Sequence, residues 1–211
     1  MIGKARATLS QAVSGLQMRL EDRLAMDETR FSGARARLGA LTSLKKSYED
    51  YAGLSQRAGD AYNRLIGIQQ YYNELGPEEQ QDPEKMLPLA LARMEYDTLV
   101  EARAEKEEQL EEQLREHYEK NLIKGDELRL LKSALRAPQL GVGALNKMIE
   151  EQEHEVQTRK AELERDKAMH GRFAGAIGKL RGVPARVARV VSGFFAWPWE
   201  TGRGRKKREG A

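Results

Sequence analysis

The stretch Leu41-Thr-Ser-Leu-Lys-Lys-Ser-Tyr-Glu-Asp-Tyr51 decides how the chain reads. Its large apolar side chains fall at 41, 44, 48 and 51, in steps of three, four and three. That spacing marks one face of an α-helix and, when sustained, a heptad seam. It is sustained through Ser55, Ala58, Tyr62, Leu65, Gln69 and Tyr72, with polar lapses at Ser55 and Gln69. Upstream, Leu9, Val13, Leu16, Leu20 and Leu24 continue the stripe, with a four-residue stutter between Leu20 and Leu24. The pattern predicts one helix over residues 8–75. At 1.5 Å per residue it would be roughly 100 Å long. No small domain is that wide, so the helix needs partners along its length.

Punctuation divides the rest. Gly76, Pro77, Pro83 and Pro88 predict a turn, because Gly-Pro stops a helix and an early Pro starts one. A second helix is expected over 87–135, marked by Leu91, Met94, Leu99, Leu110, Leu114, Tyr118, Leu122, Leu128, Leu131 and Leu135. Its middle, 101–113, is nearly all polar and is expected to project or to lie on a thin two-helix layer. Pro138, Gly141 and Gly143 predict a second turn, with Gly141 and Gly143 in the loop. A third helix follows over 144–180 along Leu145, Ile149, Gln152, Val156, Leu163, Phe173, Ile177 and Leu180. Gly33, Gly39, Gly53, Gly59 and Gly67 are expected to bend or locally break the first helix. No alternating strand pattern appears. The fold class is therefore all-α: two or three long antiparallel helices in a coiled-coil-like bundle. The bundle domain takes residues 1–181, and 182–211 form a short aromatic and polybasic tail.

Composition agrees with that class. The chain is 33% charged and 6% aromatic, with a mean hydropathy of -0.70. Long helices that bury a narrow stripe suit such polarity better than a thick globular core does. The net charge of +3 is unevenly spread. Residues 171–211 hold ten basic and two acidic side chains, so the preceding 170 carry about -5. There is no cysteine, which removes disulfide and thiolate chemistry and fits a reducing compartment. Lys4, Arg6 and Arg19 precede the first acid, and no secretory apolar run follows them. The expected location is cytoplasmic or peripheral to a membrane, with a mitochondrial leader as the alternative reading of that basic start.

Signals for chemistry are sparse. The chain lacks nucleophile-elbow, zinc-protease and phosphate-loop motifs, and Gly141-Val-Gly143 lacks the residues that would make it the last of these. Glu151 and His154 form one Glu-x-x-His pair, with no second pair around His117 or His170 to complete a two-metal site. The glutamate runs near 107 and 111 read as a solvated helix face paired with Lys106 and Arg115. The expectation is a non-enzyme with no catalytic, cofactor or metal residues.

The tail carries the clearest binding signal. Phe194, Phe195, Trp197 and Trp199 lie within six residues, and Arg203, Arg205, Lys206, Lys207 and Arg208 follow. The run is too short and too charged to span a bilayer, which takes about 20 apolar residues. Aromatic rings beside a basic cluster suit the headgroup layer of an anionic membrane. Docking into a protein partner ranks second and nucleic acid third.

The seam of the first helix carries the other expectation. Leu41, Leu44, Tyr48, Tyr51, Tyr62 and Leu65 find too little matched apolar surface elsewhere in the chain, which predicts a homo-oligomer. Three long helices with charged outer halves, the stretch 41–72, its Pro-rich turn and Leu87-Pro-Leu-Ala-Leu-Ala-Arg-Met-Glu-Tyr-Asp97 together resemble the BAR superfamily over about residues 8–180. That resemblance implies a crescent-shaped dimer that senses or shapes membranes. The helices are short for that family, and the aromatic-basic segment is C-terminal where the family's insertion helix is usually N-terminal.

Overall fold

The computed structural model describes residues 2–180 and, apart from 2–10, 12 and 178–180, their side chains. The described chain is helical, with no strand among these residues. Helix α1 is Ile2–Glu74, α2 is Pro83–Glu119, α3 is Gly125–Ala134 and α4 is Pro138–Leu180. A short 3₁₀ turn, Glu79–Gln81, sits between α1 and α2. Two compact units result. One is Ser32–Gln157; the other combines Met1–Phe31 with Thr158–Ala211.

Three corrections to the sequence reading follow. The glycines do not interrupt α1, which is assigned as one helix past Gly33, Gly39, Gly53, Gly59 and Gly67. A Cβ at any of these five would meet open space, so none marks a close approach within the chain. The second predicted helix is two, α2 and α3. The turn expected at 138–143 closes at Ala137, and Gly141 and Gly143 lie inside α4. Pro138 takes the first helical position, where its missing N–H costs nothing and its fixed φ suits the helix.

The α1–α2 turn is tied by its own side chains. Tyr72 donates its hydroxyl hydrogen to the Gln80 carbonyl at 2.5 Å, and the Gln80 amide donates back to the Leu75 carbonyl at 3.0 Å. Asp82 caps α2 by accepting from the Glu84 N–H at 3.0 Å, with Pro83 at the first turn. The α2–α3 break is a Schellman ending. The Leu122 N–H reaches back to the His117 carbonyl at 2.8 Å and the Asn121 N–H to the Tyr118 carbonyl at 2.9 Å. Asn121 holds the left-handed position, φ 55°. Glu127 then secures α3 twice. One oxygen accepts from the Lys124 N–H at 2.8 Å, and the other meets Arg37 of α1 at 2.6 Å.

The core of the Ser32–Gln157 unit is built from Leu41, Leu44, Tyr48 and Tyr51 of α1. Against them lie Leu110 and Leu114 of α2, Ile123 of the connection, Leu131 and Ala134 of α3, Leu135, and Leu145 of α4. Burying one such large side chain is worth about 1.5–3 kcal/mol. Tyr48 sits at the crossing of α3 and α4. Its hydroxyl donates to the Leu131 carbonyl at 2.6 Å, near the end of α3 where backbone acceptors lack helical partners. Its ring lies where a Cβ on Gly141 would fall, 2.5 Å away. Only glycine lets α4 pass that close. Deeper along α4, buried Gln152 donates to the Ala34 carbonyl at 3.3 Å.

Among its described residues the second unit, Met1–Phe31 with Thr158–Ala211, buries Leu163 and two carboxylates. Asp27 and Asp166 are both buried, and burial followed by the neighbouring Asp27 carboxyl pushes the Asp166 pKa up. Arg23 forms an ion pair with Asp166, and Arg30 reaches Asp27 at 3.5 Å. Lys167 and Glu28 add an exposed pair at 3.4 Å.

Candidate interaction surface

The α1–α2 hairpin changes character along its length. At its root the seam is covered. Leu41, Leu44, Tyr48 and Tyr51 have no exposed surface within the single chain. The cover that the sequence reading assigned to a second copy comes from α2, α3 and α4 instead. The polar run 101–113 supplies part of it. Leu110 points inward and is fully buried, while charged neighbours line the rim. Glu107 accepts a hydrogen bond from the Tyr51 hydroxyl at 2.6 Å, and Arg103 lies 5.7 Å from that ring's centroid. Burial, then the Glu107 contact, raises the Tyr51 hydroxyl above its ordinary pKa, so it remains a donor. Lys106 meets Asp50 at 3.6 Å.

Beyond Tyr51 the inner face of α1 turns small. Ala52, Ala58 and Ala61 are the buried residues there, and Ala92 is buried on α2. Small residues let the two helices pack without enclosing their larger neighbours. Tyr62 is 48% exposed, with its ring tilted 5.5 Å from Tyr96, and Leu65 is half-buried. Large apolar side chains therefore face outward. Tyr62, Ile66, Tyr71, Met86, Leu87, Leu91, Met94 and Val100 are all exposed, eight of the thirteen such residues among those described. Surface apolar residues scattered singly need no explanation, but a contiguous set does.

Leu87, Leu91 and Met94 form such a set. Their i, i+4, i+7 spacing puts them on one face of α2. Leu91 and Met94 open into a groove of about 670 Å³ shared with Arg57, Asp60 and Arg64 of α1. A second shallow groove, past Gly53 to Glu49 and Lys106, shares Arg57 and Asp60 with the first. Together they follow α1 from residue 49 to 64, roughly 24 Å of helix at 1.5 Å per residue. Arg64 and Glu95 bridge the two helices across the groove at 2.5 Å, with both side chains largely exposed. Sequence reading placed Leu91 and Met94 on an inward stripe. The signal against that was available: the opposing face of α1 offers Ala58, Ala61 and Gln69, too little to cover them.

No family model matches the chain. No curated protein and no solved structure matches it either.

The remaining predicted binding residues are Phe194, Phe195, Trp197, Trp199, Arg203, Arg205, Lys206, Lys207 and Arg208. All nine lie outside the described residues. Among the described residues no three of His, Asp and Glu gather as metal ligands, and Glu151 and His154 are exposed. His117 is half-buried, and burial lowers its pKa. None of the described helices is long and apolar enough to cross a membrane. Charge divides by unit. The Ser32–Gln157 unit has 17 basic and 24 acidic residues, net -7; the other has 19 and nine, net +10.

Proposed function

We propose that this chain is a non-enzymatic helical scaffold that contacts an anionic membrane surface through its basic C-terminal tail and holds a protein on its α1–α2 hairpin. The observation that carries the scaffold reading is the exposed Leu87, Leu91 and Met94 stripe beside an open groove. A concave enclosed pocket with converging polar groups would favour a small-molecule site; these grooves are shallow and strung along a helix pair. The membrane half rests on sequence. A basic residue near an anionic leaflet contributes about 1 kcal/mol, and the tail holds five within Arg203 to Arg208. The four aromatics beside them add a burial contribution that salt does not weaken.

Vesicle co-sedimentation separates the two contributions. Neutralising Arg203, Arg205, Lys206, Lys207 and Arg208 should abolish binding to anionic vesicles and leave a weak residue on neutral ones. Replacing Phe194, Phe195, Trp197 and Trp199 with Ala should leave binding that vanishes as salt shortens the Debye length below about 10 Å. Tryptophan emission already blue-shifted and quencher-protected without lipid would sink the membrane half and place the tail against protein.

A further inference from the structure

We propose that the groove between α1 and α2 seats a second copy of this chain, antiparallel, with Arg57 of each copy against Asp60 of the other. The inference rests on the scaffold reading and names the protein that the hairpin holds. Seven charged side chains line the two grooves. Five of them are paired inside the chain: Glu49 with Lys45 at 3.6 Å, Asp50 with Lys106 at 3.6 Å, and Arg64 with Glu95 at 2.5 Å. Arg57 and Asp60 remain. Both are exposed, and neither makes an ion pair or side-chain hydrogen bond among the described residues. They are also the two residues that both grooves share, so they stand at the middle of the combined surface.

Arg57 and Asp60 are opposite in sign and about one helical turn apart. A two-fold axis passing between them exchanges their positions, so an antiparallel copy sets each guanidinium against a carboxylate. A parallel copy in register would set like against like. The face that carries them is a second heptad seam. Lys46, Asp50, Gly53, Arg57, Asp60 and Arg64 recur in steps of four and three, and all are exposed. The same two-fold brings Gly53 of one copy opposite Arg64 of the other. A Cβ on Gly53 would meet nothing within 4 Å, so its bare backbone leaves room for the partner's Arg64. Further out, the register lays the acidic tip of one hairpin beside the start of the seam on the other. Residues 74–84 hold five acidic side chains and no base, while residues 35–46 hold four basic ones and no acid. Charge along the hairpin therefore runs basic, mixed, acidic, an order that matches itself only when reversed. Exposed ion pairs add little affinity, but they fix register and exclude the wrong one. Affinity comes from covering Leu91 and Met94 on the groove wall, both more than half exposed in the single chain.

Sedimentation velocity of the full chain through micromolar concentrations tests this. The natural chain should dimerise. Arg57→Asp and Asp60→Arg should each weaken the dimer by about tenfold or more, because each sets two like pairs across the interface. Mixed together, the two variants should associate at least about tenfold more tightly than either does alone, since an acidic pair then meets a basic pair. A chain carrying both substitutions should dimerise like the natural one. Both side chains are exposed, so far-ultraviolet helicity should not change. Leu91→Ser with Met94→Ser should weaken the dimer as well. A natural chain that stays monomeric overturns the proposal. So does a dimer indifferent to Arg57→Asp and Asp60→Arg, or a pair of weakened variants that do not rescue each other in the mixture. A photo-crosslinking residue at Thr98, on the groove wall, separates this result from the scaffold reading when used in cell extract. An adduct between two copies supports both. An adduct with another protein alone overturns self-association and keeps the scaffold, and no adduct removes both.

Discussion

Gly141 and Gly143 stand two residues apart on α4 and should respond in opposite ways to one added methyl group. At Gly141 the new Cβ would overlap the buried Tyr48 ring and sit 3.3 Å from the Ala134 Cβ. Overpacking of this kind costs about 1–3 kcal/mol. At Gly143 the Cβ meets open space, and Ala in a helix interior is favoured over Gly by up to about 1 kcal/mol. Urea unfolding of Gly141→Ala and Gly143→Ala should show a lower midpoint for the first and an unchanged or higher one for the second. Asp166 makes a pH prediction. Its pKa is raised first by burial and then by the Asp27 carboxyl, against the pull of Arg23. A carboxyl whose folded pKa exceeds its unfolded one stabilises fully below the unfolded value and loses that stability as pH rises through the folded one. Acidification from neutral pH down to the ordinary aspartate range should therefore favour the folded chain more in the natural protein than in Asp166→Asn. Equal melting shifts for the two across that whole acid range would refute this. Glu79 moves the other way, lowered by the hydrogen bond from Lys85, but both lie on the exposed tip.

Helix boundaries show what a sequence can and cannot announce. The α1–α2 turn was legible because Gly76-Pro77 and Pro83 impose it through backbone geometry alone. The heptad positions 41 to 51 were legible because periodicity reports a buried face whatever covers it. Which chain covers it is not a periodic property. That depended on Leu110, a single leucine in a run of charges, turning inward together with α3. The α2–α3 break read in the sequence only as a bend at Gly125 and Asp126, where α3 begins. The residue that turns the chain is Asn121, which tolerates φ above zero and stands after the last helical turn. Asn121→Gly should leave stability within a few tenths of a kcal/mol or raise it, since glycine takes this conformation freely. Asn121→Val should cost about 1–2 kcal/mol, the penalty of a β-branched residue in the left-handed region. Thermal melts of the pair would decide it, and equal melting temperatures would remove Asn121 from the account of the break. The tail's chemistry was plain in the sequence, and its contacts lie beyond the described residues.

For the whole molecule the governing quantity is the division of charge between the two units, net -7 and net +10. The tail beyond residue 180 holds eight basic and two acidic residues, so removing it turns a chain of +3 into one of -3. Truncation after Leu180 should abolish sedimentation with anionic vesicles at low salt. Retained vesicle binding would move the lipid contact to the described helices. The core of the Ser32–Gln157 unit has a further consequence, for the ribosome. Tyr48 bonds to a residue 83 positions later, and Ala34 to one 118 later. Leu41, Leu44 and Tyr48 are therefore synthesised long before Leu145 can close over them. At about 5–20 residues per second, the interval lasts about 5–20 s. For that time the nascent chain displays a row of leucine and tyrosine that the folded protein buries completely.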